Sequence, residues 1–138
     1  MKITQQILPA SKQVIRIGKY LYKHIDGAYS IKYSPNTCDV YFTLLYSVPE
    51  ELIRELRKYQ ELYTLEKDTY EMHFNINITT YQNKVRININ EISPEERTIG
   101  QTIYSPEVLM DLDSAYKKIM DKLKKQLNKR FQGYDFVF

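Results

Sequence analysis

The sequence predicts an α+β fold, a two-layer sandwich in which three helices, the C-terminal one longest, cover a mostly antiparallel sheet. Three observations predict it. Residues 71–91 alternate with period two: Met72, Phe74, Ile76 and Ile78 interleave with His73, Asn75, Asn77 and Thr79, and Val85, Ile87 and Ile89 with Arg86, Asn88 and Asn90. Residues 28–46 repeat that pattern around the turn chemistry of Ser34-Pro35-Asn36-Thr37. Three further stretches carry apolar residues at helical spacing. Two hairpins and one short strand joined by short turns make the sheet antiparallel, with helices on one face.

In chain order, Lys2–Leu8 alternates poorly and is expected to form at most a short strand. Pro9 can open a helix, because a first-turn residue needs no bonded N–H. Ala10, Val14, Ile17, Leu21 and Ile25 then give a helix over 10–25. Gly18 inside it costs up to about 1 kcal/mol relative to Ala, unless something packs close there. Asp26-Gly27 reads as its stop, with Gly in the left-handed conformation. Tyr29, Ile31 and Tyr33 are expected on one face of a first strand, and Val40, Phe42, Leu44 and Tyr46 on one face of a second. Cys38 falls at the turn or the start of that second strand.

Ser47-Val48-Pro49-Glu50 reads as a capping box opening a second helix striped by Leu52, Leu56, Tyr59 and Tyr63. The 71–91 hairpin follows, with its polar tip at Tyr81–Lys84. Residues 91–97 read as a loop, and Ile99, Gln101 and Ile103 as a short strand. Ser105 as N-cap and Pro106 start the longest helix, striped by Leu109, Leu112, Ala115, Ile119, Leu123, Leu127 and Phe131 and stopped by Gly133. Its acidic start and basic end complement the helix dipole. The apolar tail 134–138 is expected to dock as a strand or against a neighbour. The apolar face of the 71–91 hairpin is expected to meet the stripes Leu52–Tyr63 and Leu112–Leu127.

Composition bounds the rest. The 138 residues fit a single domain, 1–138, and 43% hydrophobic content excludes a disordered chain. A net charge of +3 demands neither nucleic acid nor membrane as a partner. A single cysteine excludes an internal disulfide framework and a Cys-rich metal site. The first residues lack the apolar run of a secretory signal, and no stretch approaches the roughly 18 apolar residues of a membrane span. The expected location is the cytoplasm, or a virion assembled there.

Catalytic signals are thin. The four glycines form no phosphate-cradling loop. His24 and His73 lie far apart; one reads as a helix end, the other as a surface strand position. Glu50-Glu51 and Asp111/Asp113 sit at helix starts, where the dipole suffices as cause. Glu95-Glu96 lies in a loop, and Cys38 lacks a neighbour to lower its pKa. The expectation is therefore no enzyme, no cofactor and no metal.

Two surfaces remain as candidates. The polar hairpin face, with Asn75, Asn77, Arg86, Asn88 and Asn90, has no third helix to cover it and is expected to contact a partner, as are Tyr134, Phe136 and Phe138 of the tail. Its strand positions offer no ring but an imidazole, which disfavours base stacking. Lys118, Lys122, Lys125 and Lys129 share one face of the last helix and could track phosphates. The stretch Asp111-Leu112-Asp113-Ser114-Ala115, continued by 121–129, is similar to the last helix of bacterial ribosome-hibernation factors. That resemblance implies contacts in a small-subunit RNA groove through Lys122, Lys124, Lys125, Lys129 and Arg130; residues 28–63 depart from the family. The leading expectation is a non-catalytic protein–protein interaction module, a small structural subunit of a larger assembly, with a viral or phage component as its context and a protein partner or homo-oligomer. The alternative is an RNA- or ribosome-binding factor using the basic helix.

Overall fold

The computed structural model describes residues 6–59, 69–92 and 95–138, the side chains of 56–59 excepted. The elements run α1 (Ala10–His24), β1 (Ala28–Ser34), β2 (Thr37–Ser47), α2 (Glu50–Tyr59), β3 (Thr69–Tyr81), β4 (Lys84–Glu91), β5 (Arg97–Tyr104), α3 (Leu112–Arg130) and β6 (Asp135–Phe136). The sheet is antiparallel, in the order β1-β2-β3-β4-β5, with β6 beside β2. The fold is α+β, and α3 is its longest helix. Within the expected stretch Lys2–Leu8, residues 2–5 lie outside the described part and 6–8 form no strand.

Alternation decides which sheet face is buried. Cys38, Val40, Phe42 and Leu44 of β2, Met72, Phe74, Ile76 and Ile78 of β3, and Val85, Ile87 and Ile89 of β4 are all buried in one cluster. The ring of Phe42 stacks on that of Phe74, 5.4 Å away across β2–β3. The helix stripe Ala10, Val14, Ile17, Leu21 and Ile25 joins the cluster as the spacing predicts, and so do Ala115, Ile119, Leu123 and Leu127 of α3. Full burial of each such aliphatic side chain stabilises the fold by about 1.5–3 kcal/mol. The expected partner stripe of α2 is replaced in part. It is α1 that lies across β1 to β4. Of the α2 stripe, Leu52 is half-buried and the side chains of 56–63 lie outside the description.

Two glycines set how closely α1 meets the sheet. A Cβ on Gly18 would stand 2.2 Å from Cys38 Sγ, so the helix rests directly on β2. A Cβ on Gly27 would stand 2.0 Å from Thr43 O. Gly27 is thus required by close approach; the expected left-handed stop is absent, and the C-cap Ile25 is extended at φ −80°. Thr43 N donates to Gly27 O at 3.0 Å, which ties the α1–β1 corner to β2.

Three other local expectations change. Ser47 does not cap α2, because it is the last residue of β2, paired with Thr69 and Asp135. The helix expected from Pro106 begins six residues later. Residues 105–110 form a turn with Val108, Leu109 and Met110 N–H groups donating three residues back, and an extended Asp111 then caps α3 by accepting from Ser114 N at 3.2 Å. The break lets Leu109 point into the core while Arg16 Nη2 donates to Met110 O at 2.9 Å. In β1, a bulge at Tyr29, between Ala28 (opposite Phe42) and Ser30 (opposite Tyr41), sends Tyr29 and Ile31 to opposite faces instead of one.

The tail docks on the chain itself. After α3, Gly133 turns at φ +83° and Asp135–Phe136 pairs with Ser47 and Tyr46. Tyr46 is stacked between Tyr134, 5.7 Å away, and Phe136, 5.4 Å away. Among the described residues, no helix is long and apolar enough to cross a membrane.

Candidate functional site

Among the described residues, α1 and α3 both pack on the apolar side and leave the opposite face of the sheet open. Its centre is a ladder of polar side chains. Thr98 Oγ1 donates to Asn90 Oδ1 at 2.8 Å, Asn90 Nδ2 to Asn75 Oδ1 at 2.9 Å, and Asn75 Nδ2 to Asp39 Oδ1 at 3.2 Å. Asn77 Nδ2 donates to the same carboxylate oxygen at 2.8 Å. This chain crosses β5, β4, β3 and β2 in register, since Asn90 stands opposite Asn75 and Asp39 opposite Asn77. Asn75 and Asn90 are only 3% and 7% exposed, so the ladder is an ordered polar floor. A buried amide left without a partner would cost about 1–3 kcal/mol, and sharing avoids that cost.

Around the floor stands a rim of larger side chains. Tyr29 is 52% exposed, Leu45 44%, Ile103 45% and Tyr81 39%. Tyr29 packs on Tyr41 at 6.4 Å and edge-on to His73 at 5.9 Å, and its hydroxyl lies 3.4 Å from His73 Nδ1. Lys32 Nζ lies over the Tyr41 ring at 5.7 Å, and the Arg86 guanidinium over the Tyr81 ring at 5.4 Å. Burial, then Asp39, Glu96 and Tyr29, push the Tyr41 hydroxyl above its ordinary pKa, so it remains a donor at neutral pH. Lys32, Lys84 and Arg86 share the face with Asp39 and Glu71, so its charge is mixed in sign.

One side of the floor is less complete. Thr79 Oγ1, Arg86 Nε and Asn88 Oδ1 are buried without a hydrogen-bond partner among the described residues. They are neighbours, Thr79 standing opposite Arg86, with Asn88 two residues further along β4.

Asn75, Asn77, Arg86, Asn88 and Asn90, singled out from the sequence, all lie on this face. Tyr29, Tyr41, Leu45, Tyr81 and Ile103 were not singled out. Alternation along β2, β3 and β5 carries the signal for four of them; only the bulge reveals Tyr29. The polar strand positions of the 71–91 hairpin carry no ring but His73, and the rings on the face come from Tyr29 of β1, Tyr41 of β2 and Tyr81 at the hairpin tip. The tail residues are placed elsewhere, Tyr134 and Phe136 in the Tyr46 stack and Phe138 half-exposed at 48%. On α3, Lys118, Lys125 and Lys129 are exposed, while Lys122 Nζ donates to Gln101 O at 3.3 Å on β5.

A cleft of ≈ 540 Å³ opens between α3, the α1–β1 corner and the chain end. Ile25, Leu44, Met120 and Phe138 contribute its apolar wall, and Asp26, Asp121, Lys117 and Lys124 its charged rim. Both lysines have partners. Lys117 pairs with Asp113 at 3.2 Å, and Lys124 lies over the Phe138 ring at 4.9 Å. Cys38 is buried under Gly18, and burial pushes its thiol up to about 11, the opposite of an activated nucleophile. Among the described residues, no three His, Cys, Asp or Glu side chains converge as a metal site.

No family model, curated protein or solved structure matches the chain. The functional reading rests on the site itself.

Proposed function

We propose that the protein is a non-catalytic protein–protein interaction module, a small structural subunit of a larger assembly, that docks its partner on the open sheet face. One observation carries this reading. The face is built as a rigid polar floor ringed by half-exposed Tyr29, Leu45, Tyr81 and Ile103. That composition, Tyr and Arg with aliphatic anchors around the hydrogen-bonded amides of Asn75, Asn77 and Asn90, is the make-up of protein contact surfaces. Its mixed charge suits a polar protein surface better than a phosphate backbone, which would favour cations alone. A floor already fixed by side-chain hydrogen bonds also lowers the ordering cost of association.

The test is a pair of substitutions at opposite ends of the face, Leu45→Asp and Ile103→Asp. Both side chains are half-exposed, so the fold should survive each with little loss. The partner isolated with the wild-type chain from its source should be lost, or bind at least tenfold more weakly. A partner held equally well by both variants would overturn the reading.

A further inference from the structure

The outer edge of β5 is a second surface, which adjoins the open face at Ile103. The two-residue turn Gln82–Asn83, with φ +45° and +63°, makes Tyr81 and Lys84 a hydrogen-bonded pair and fixes the phase of the ladder. Carried across β4, that phase turns the main-chain groups of Gly100, Thr102 and Tyr104 toward β4 and those of Gln101 and Ile103 outward. Among the described residues no strand lies beside the outward groups, since β5 ends the sheet. What lies beside them is α3. A Cβ on Gly100 would meet Gln126 Cγ at 3.5 Å and Lys122 Cε at 3.6 Å, ordinary contact distances that place α3 directly beside this part of the strand. Lys122 Nζ reaches Gln101 O at 3.3 Å. Lys118 and Lys125 follow on the same helical face, one turn to either side, and both are exposed.

We propose that the β5 edge and the lysine row of α3 together form a docking track for an extended acidic segment of a protein partner, added as a further strand. An incoming strand would pair its main chain with the N–H and C=O groups of Gln101 and Ile103. Its side chains on the helix layer would lie beneath Lys118, Lys122 and Lys125, where carboxylates at alternate positions complement the row. Lys122 Nζ would leave Gln101 O, freeing that carbonyl for the partner's N–H, and would pair with a carboxylate instead. In the free chain the same contact blunts an edge that would otherwise pair with another copy.

The probe is a short fluorescent peptide alternating Thr and Glu, with a Thr/Lys peptide and single-stranded oligouridylate as comparison ligands. Anisotropy at low salt should show the Thr/Glu peptide binding and the Thr/Lys peptide not. Exchange of the Gln101 and Ile103 amides, followed by NMR, should slow on binding. The double variant Lys118→Glu/Lys125→Glu should weaken binding about tenfold, and Leu45→Asp, on the open face, should leave it unchanged. Peptide binding without slowed exchange at Gln101 and Ile103 would overturn strand addition. Oligouridylate binding in place of the peptide would assign the lysine row to nucleic acid. Absence of peptide binding, with Lys122→Ala self-associating, would reduce Lys122 to edge protection alone.

Discussion

Replacing Gly18 with Ala tests how α1 is seated. The added methyl would stand 2.2 Å from Cys38 Sγ and 3.1 Å from Cys38 Cβ, with Ile78 Cδ1 at an ordinary 3.7 Å. Favourable carbon contacts begin near 3.5 Å, so the sulfur clash exceeds roughly 1 Å. Cys38 and Ile78 are both fully buried in the sheet, so the helix must move instead. Overpacking of this kind costs about 1–3 kcal/mol. Helix propensity returns up to about 1 kcal/mol. The expected net loss is about 1–2 kcal/mol, read as a lower urea midpoint at unchanged slope. Cys38→Ala removes the clashing atom and leaves only the 3.1 Å contact, which a shift of a few tenths of an ångström relieves. In that background Gly18→Ala should be neutral or slightly stabilising, giving a coupling of about 1–3 kcal/mol. If Gly18→Ala is as stable as wild type, or costs the same with and without the Cys38 sulfur, the packing argument is wrong.

Cys38 also gives a pH signature. Its thiol is raised from 9.0 to about 11 in the fold, so its contribution is intact below pH 9 and is lost as pH rises toward 11. The fall should be about 2–3 kcal/mol and shallower in Cys38→Ala; parallel curves would refute it. Asn75→Ala removes the middle of the polar ladder and leaves Asn90 Nδ2 and one bond to Asp39 unmade. It should cost about 1–3 kcal/mol in chemical denaturation, and a cost below about 0.5 would show the floor to be dispensable. Deleting 134–138 uncovers the Tyr46 stack. It should lower stability by about 1–3 kcal/mol and raise binding of a hydrophobic dye, whereas unchanged values would mean that the tail only rests on β2.

Long periodic segments made much of this legible in the sequence. The 71–91 alternation predicts both strands and the faces of residues 72–79 and 85–90, and the stripe from Ala10 to Ile25 predicts the buried side of α1. Ser105-Pro106 is sound capping chemistry locally, which is why the sequence alone points to a helix start there. Burying Leu109 and binding Arg16 to Leu109 O and Met110 O favours a turn there instead. Gly27 looked like a left-handed stop, yet what it supplies is room for Thr43 O. Packing of this kind is set by distant residues and leaves no local signature. The same holds for the site. Its Asn floor is visible as polar strand positions, but Tyr29 and Tyr41 reach the face only through the pairing of β1 and β2 with the hairpin, which no local pattern fixes. The bulge that brings Tyr29 onto the face depends on register with β2.

The claim that the open sheet face is the docking surface is tested most directly by tyrosine footprinting of the free chain and of its isolated complex. Tyr29 and Tyr81 are exposed on that face, while Tyr22 on α1 and Tyr33, beside Lys19 of α1, are exposed away from it. Nitration of Tyr29 and Tyr81 should be suppressed in the complex while Tyr22 and Tyr33 react as before. Suppression at Tyr22 and Tyr33 with Tyr29 and Tyr81 still reactive would place the partner on the opposite side of the molecule and contradict it.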